Sequence, residues 1–481
     1  MSTQHPDNVA NPFFSDHALI QGETEVKEAY YVFSHLECRE QMWDCEGKEV
    51  DNFVIEKLLS RYEHFFKENV IGKDIFMTLR VPNPAIEKNE GKILLETLES
   101  IPRNYDIARA LYSDVAPIFE VILPMTSSSA ELGRIWQYYK KIVVGKAGAR
   151  LAKNDISISE WIGDFRPGEI NVIPLVENFD SLLNSARITG EYIKGKRLEY
   201  QRVFLARSDP ALNYGSVSAV LLNKIALQRL HALEEKTSVE ILPIIGVGSA
   251  PFRGNMKPTN TGNCATEYPS VQTFTLQSAF KYDYPEKSVC DAIEKLNGTK
   301  RNKPLFIDEG AAMRLIKKVM KEYQSQITLL CPLINSIARH VPARRSRKLH
   351  IGLFGYSRSL KGIKLPRVIS FCASLYSIGI PPEMLGLSAL TEKEMEELKN
   401  IYVGFEEDLR DALAYANEEN FKYLPAALGK KLKKSKKLVE SETNADHAEI
   451  TSRVMRSAGR GETGELREDI EKAAWIRKFL G

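Results

Sequence analysis

Nothing in these 481 residues reads as a disulfide framework, a zinc finger or a membrane span. The six cysteines (Cys38, Cys45, Cys264, Cys290, Cys331, Cys372) contain no C-x-x-C pair and no disulfide-like cluster. The eight histidines show no zinc-like spacing. No apolar run approaches the length of a membrane span, and the opening MSTQHPDNVANPFF lacks the apolar core of a signal peptide. These absences point to a reducing, cytoplasmic compartment. A large charge of one sign is missing too. A net charge of +3 is too small to draw nucleic acid or a membrane by bulk electrostatics, so any positive charge that function needs must be concentrated locally.

What is present is an ordinary globular balance, 43% hydrophobic and 27% charged, enough to bury a large core. Short apolar, β-branched runs recur: residues 74–81, 117–124, 170–176, 202–206, 239–247 and 349–354, with weaker candidates at 39–45 and 271–280. Helix-like stretches such as 92–100, 127–144 and 216–233 lie between them. Strands alternating with helices argue for a parallel sheet, and this number of units for a closed (β/α)8 barrel of TIM type, an α/β fold. The spacing places the barrel domain over 1–390 and a C-terminal helical extension over 391–481. In that extension 391–417 reads as one or two charged amphipathic helices. The basic run 429–437 opens a polar segment, 429–447, that reads as solvated surface.

Several apolar runs end in a charged or small polar residue, and in a parallel barrel the strands' carboxyl ends meet on one face. Glu177 and Asp209 each follow such a run (IPLVE, VFLARSD), which is what a hard divalent ion needs, although either acid also reads as a helix cap. The loop from Gly246 through Gly248 and Arg253 to Gly254 and Asn255 follows a strand and packs glycines around one arginine. Glycines let backbone approach an anion, and the guanidinium suits phosphate or carboxylate. The loop matches neither the dinucleotide fingerprint nor the G-K-[ST] loop, and a plain structural turn is its alternative. Arg80, Arg207, Arg358 and Arg367 also stand at or near run ends; each reads either as an anion ligand or as a surface residue or ion-pair partner. His5, almost at the start, reads on position alone as inert.

Longer stretches carry more. STQHPDN, EAYYVFSHLECREQMWDCEGKEVD, TLRVPNP, FEVILPMTSSSAEL, INVIPLVENFDSLLN, RVFLARSDPALNYGSVSA, LPIIGVGSAPFRGN and LHIGLFGYSRS, with the final RKFLG, resemble archaeal-type phosphoenolpyruvate carboxylase, from Ser2 to about residue 390 and again at the end. The resemblance implies conversion of phosphoenolpyruvate and bicarbonate to oxaloacetate and phosphate, through carboxyphosphate and the pyruvate enolate. It implies a need for Mg²⁺ or Mn²⁺ and a homotetramer. By motif, it makes Glu177 and Asp209 metal ligands and Arg253 the loop arginine over the phosphate and nascent carbon dioxide. It gives His5 a part in carboxyphosphate breakdown and carboxylation, reversing the reading from position. Arg80, Arg358 and Arg367 become holders of substrate phosphate and carboxylate, with Gly246, Gly248 and Gly254 shaping the substrate loop. The longer bacterial and plant form carries charged residues where this chain has Leu212, Ile245 and Val247, so substrate holding differs in detail. Its aspartate site uses an asparagine where Phe479 stands, which argues against strong aspartate inhibition. Two rivals remain on the residues alone: another barrel enzyme acting on an enolate, which would not need bicarbonate, and a non-catalytic barrel that binds a partner through 429–437.

Overall fold

The computed structural model describes residues 1–4, 9–17, 19–46, 50–88, 91–111, 114–343, 359–360, 363–460 and 464–481. Eight parallel strands follow one another around one sheet in sequence order. They are β1 (Ser2–Thr3), β2 (Glu40–Asp44), β3 (Phe76–Arg80), β4 (Glu120–Leu123), β5 (Asn171–Val176), β6 (Tyr200–Ala206), β7 (Glu240–Gly246) and β8 (Thr273–Phe274). The curled sheet meets its own far edge where Ser2 bridges Leu276, and the Thr3 N–H donates to the Leu276 carbonyl at 3.0 Å. The result is a TIM-like α/β fold. Every expected strand within the described residues is present. The exception in membership is the run 349–354, which lies outside the described residues; the sheet is completed by Ser2–Thr3, too short for any periodicity to reveal.

Side chains alternate along a strand, so register determines what fills the barrel. At its amino-terminal end, alternate strands supply Glu40, Glu120, Arg202 and Thr273. The Arg202 guanidinium donates to Glu40 at 2.7 and 2.8 Å, to Glu120 at 2.9 Å and to Thr273 at 3.4 Å. Two residues further along the strands the layer is apolar, with Met42, Ile122, Ile173, Phe204 and Ile244 packed together. Two further again, β2 ends in Asp44, paired in register with Arg80 of β3. The barrel is thus filled from floor to mouth, and its mouth is polar.

Outside the strands, the buried helix Ser216–Thr237 is covered in turn by the helices Glu309–Ala338 and Val368–Ser377. The span 391–417 forms two helices, Glu392–Ile401, opened by a Thr391/Glu394 capping box, and Phe405–Leu413. The basic run lies on the helix Ala426–Lys436. Its lysines find partners within the chain: Lys431 pairs with Glu322 at 2.7 Å and Lys433 with Glu418 at 3.1 Å.

Candidate active site

The polar mouth is built from strand tips. Arg80, the last residue of β3, is ion-paired with Glu46, and its Nε lies 3.6 Å from Asp44. Asp44 in turn accepts the Glu46 N–H at 3.2 Å, and its own N–H donates to the Gln4 side chain at 2.8 Å. Gln4, the residue after β1, therefore reaches the strand tip that Arg80 flanks.

Glu177 is the first residue beyond β5 and is 5% exposed. One oxygen accepts the Met125 N–H at 2.6 Å. Burial pushes its carboxyl up to about 8. Arg80 pulls it down, and Asp209 and Glu46 push it further up, so the three acids and the arginine share one field. Neither acid is a helix cap. The helix Phe179–Leu183 is capped by Asn178, and Asp209 lies inside the helix Ser208–Tyr214, whose N-cap is Arg207. A buried carboxyl such as Glu177, driven toward its neutral form with other acids beside it, is what a divalent cation would hold ionised, so the donor set fits one. Among the described residues no three metal-ligating side chains gather closely enough to hold an ion alone. Glu177 and Asp209 would leave positions for substrate oxygens and water, as Mg²⁺ sites usually do.

Arg253 joins this group from β7's side. Its Nε donates to the hydroxyl of Ser208 at 3.1 Å, next to Asp209, and its two terminal nitrogens donate to the Gly481 carbonyl at 2.7 Å and to Gln277 at 2.5 Å. The glycines around it have steric reasons. A Cβ on Gly248 would fall 2.8 Å from the Arg253 guanidinium carbon. One on Gly254, at φ +119°, would meet Val247 at 2.7 Å. Gly246 closes β7 against the Phe204 ring. The loop is not an open flap in this structure: every residue from Val247 to Asn255 is buried.

Arg207 differs from the other arginines. It is fully buried and donates to the Phe252 carbonyl at 2.9 Å and to Ser216 at 3.1 Å, so it braces the loop from behind and faces no open ligand space. Arg367 is half-buried just before the helix Val368–Ser377. Gly481 packs against that same helix, where a Cβ on it would lie 2.2 Å from the Ile369 carbonyl, so Arg367 lies two residues from the ground on which Arg253's partner rests. Leu212, Ile245 and Val247 are all buried apolar residues of one core, and Phe479 packs edge-on to Tyr376 at 5.2 Å. His5 and Arg358 lie outside the described residues. Asp44, Glu46, Ser208, Gln277 and Gly481 were not singled out from the sequence. Asp44 and Glu46 had a signal, since they stand at and just past the end of the 39–45 run, as Glu177 stands just past its own; the others are set by tertiary contact alone.

A family model described as phosphoenolpyruvate carboxylase matches residues 1–481. Proteins called phosphoenolpyruvate carboxylase are similar along the full length. One from Methanothermobacter thermautotrophicus is 52% identical over 483 residues, covering 100% of this chain and 99% of the relative. One from Pyrococcus abyssi is 51% identical with the same coverage, and one from Halobacterium salinarum 44%.

Proposed function

We propose a residue-level chemistry from the premise that the chain belongs to the phosphoenolpyruvate carboxylase family. It is a carboxy-lyase whose substrates are phosphoenolpyruvate and bicarbonate. Bicarbonate attacks the phosphoryl group, leaving carboxyphosphate and the enolate of pyruvate; carbon dioxide released from carboxyphosphate is then captured by the enolate carbon. Glu177 and Asp209 would hold the divalent ion, Mg²⁺ or Mn²⁺. When bound, that ion supplies Lewis-acid stabilisation of charge developing on phosphoryl and enolate oxygens. Arg80 sits where it can bind a substrate anion in exchange for Glu46, and Arg358 and Arg367 complete the phosphate and carboxylate grip. His5, in the motif TQHPD, would move protons during carboxyphosphate breakdown.

Arg253 and its buried loop keep water from the enolate, because a protonated enolate becomes pyruvate and the carbon dioxide is lost. Four copies in the active assembly and a cytoplasmic setting complete the reading. The latter is supported by six free cysteines and by the lack, among the described residues, of a single helix long and apolar enough to cross a membrane. One observation carries the assignment: Glu177 is buried at a strand tip beside Arg80, Asp209 and Glu46, and its carboxyl is raised first by that burial and then by the two acids. The test is turnover of phosphoenolpyruvate with bicarbonate and Mg²⁺, with oxaloacetate captured by a coupled dehydrogenase. Oxaloacetate should require both bicarbonate and the metal. Phosphate release indifferent to bicarbonate would favour another enolate-forming barrel enzyme.

A further inference from the structure

The loop that carries Arg253 is held on both sides by carboxylates from a different part of the chain. On the near side, the Phe252 N–H donates to Glu383 of the short turn Pro382–Met384, and the Tyr376 hydroxyl donates to the same oxygen at 2.6 Å. On the far side, the Asn255 amide donates to Asp408 at 2.9 Å and to Asp411 at 3.1 Å, both on the helix Phe405–Leu413. Asp408 also accepts from Asn263 at 2.7 Å and from Tyr402 at 2.5 Å, and Lys257 pairs with Asp411 at 2.9 Å. Asn255 has φ +56°, a left-handed conformation that these two acceptors help to hold. Arg253 is bracketed between residues 252 and 255, so the reach of its guanidinium is fixed by the two clamps.

We propose that Glu383 and Asp408 are positioning residues for the carboxylation step, setting Arg253 over the reacting carbon dioxide without touching substrate. This rests on the reading of Arg253 given above. It also assigns a task to the helices that follow the barrel: they hold the wall that keeps water from the enolate. Buried hydrogen bonds to a carboxyl are short and directional, which suits them to fixing a loop to a fraction of an ångström. A misplacement of about 1 Å is enough to cost on the order of a hundredfold in a step that depends on orientation. The clamps act on Arg253 and leave Glu177, Asp209 and Arg80 in place. They should therefore govern the fate of the enolate and leave its formation alone.

The test is the ratio of oxaloacetate to pyruvate formed per phosphate released, in the full-length protein with Mg²⁺ and bicarbonate. Asp408→Asn turns an acceptor toward amide donors and should lower the oxaloacetate share about tenfold, with KM for phosphoenolpyruvate within about twofold of the parent. Should Asp408→Asn not fold, Asn255→Gly carries the test: it deletes the loop's side of the clamp at a backbone conformation glycine adopts freely. Arg253→Ala is run beside them. A normal ratio in Arg253→Ala removes the premise. A shifted ratio in Arg253→Ala with an unshifted ratio in folded Asn255→Gly overturns the positioning role. The role also requires that Asn255→Gly add little once Arg253 is alanine, since the two then act through one group. Full additivity in that double variant counts against it.

Discussion

At the amino-terminal end of the barrel Arg202 reaches Glu40 through bonds of 2.7 and 2.8 Å and Glu120 at 2.9 Å, whereas at the carboxyl end Glu177 shares its surroundings with Asp209 and Glu46 and sees Arg80 only as a field. Both ends are buried, yet Glu40 and Glu177 titrate in opposite directions, while burial raises Glu120, the second acid at the floor, as it does Glu177. Burial alone would raise Glu40, but Arg202's charge and hydrogen bonds and the Thr78 hydroxyl hold it below the usual carboxylate range. Burial raises Glu177 as well, and there it wins. Two carboxylates share one bonded guanidinium at the floor; at the mouth Arg80 pairs with Glu46 and lies beside Asp44, and its charge lowers Glu177 without outweighing burial. A cluster that has satisfied itself is scaffold. One that gains from a further cation is prepared for a ligand.

The sharpest way to break this contrast is to neutralise one charge at each end. Glu177→Gln should cut oxaloacetate formation on the order of a thousandfold, by losing stabilisation of charge in the transition state. Its thermal midpoint should hold or rise, because the amide relieves crowding among acids. At the floor, Arg202→Met strands Glu40 and Glu120 and should cost about 3–5 kcal/mol in denaturant unfolding. The folded fraction should retain its KM for phosphoenolpyruvate, since the floor touches no substrate. If the mouth variant unfolds readily while the floor variant merely loses activity, the division between scaffold and site is wrong.

How far the sequence showed this division can be read from single residues. Glu177 was legible because it directly follows an apolar run, and in a parallel barrel the carboxyl ends of such runs meet at the mouth. Glu40 and Arg202 were not, since a charge at the start of a run looks like a solvated strand end until the ring brings alternate strands together. β1 stayed hidden because two residues have no period. The burial of the Gly246-to-Asn255 loop was hidden for another reason: its partners Glu383 and Asp408 lie more than a hundred residues away, in helices whose own patterns give no hint of what they hold.

Glu40 and Glu177 should also answer pH with opposite signs. Glu177, raised from 4.5 to about 8, contributes stability fully below its unfolded value. That contribution is lost as pH climbs toward 8, because the unfolded chain releases a proton that the native site retains. Glu40, held low, contributes above its unfolded value and loses that contribution on acidification. The midpoint of the parent protein should therefore fall relative to Glu177→Gln as pH rises from 4.5 to 8. Mg²⁺ should close the gap, with a stabilisation of about 2.7 kcal/mol at a hundred times its dissociation constant. The gain should grow with pH, since the ion binds the ionised acid, and should vanish in Glu177→Gln. A gap between the two proteins that ignores pH would mean that Glu177 is already ionised in the free site.

The smallest expected effect lies back at the floor, where Thr78 donates to Glu40 at 2.6 Å. Thr78→Val keeps the shape and deletes only the hydroxyl. Glu40 would retain both Arg202 bonds and lose one of its acceptor contacts, so the loss should be about 1 kcal/mol in unfolding free energy. Because Thr78 also helps hold Glu40 low, the acid side of the stability curve should shift upward in pH, while the alkaline side and turnover stay as they were. The variant perturbs a charge cluster inside the barrel of an enzyme without reaching its mouth. A change in turnover of the same size as the change in stability would show that the apolar layer of Met42, Ile122 and Phe204 transmits strain from floor to mouth, and the two ends would then have to be treated as one site.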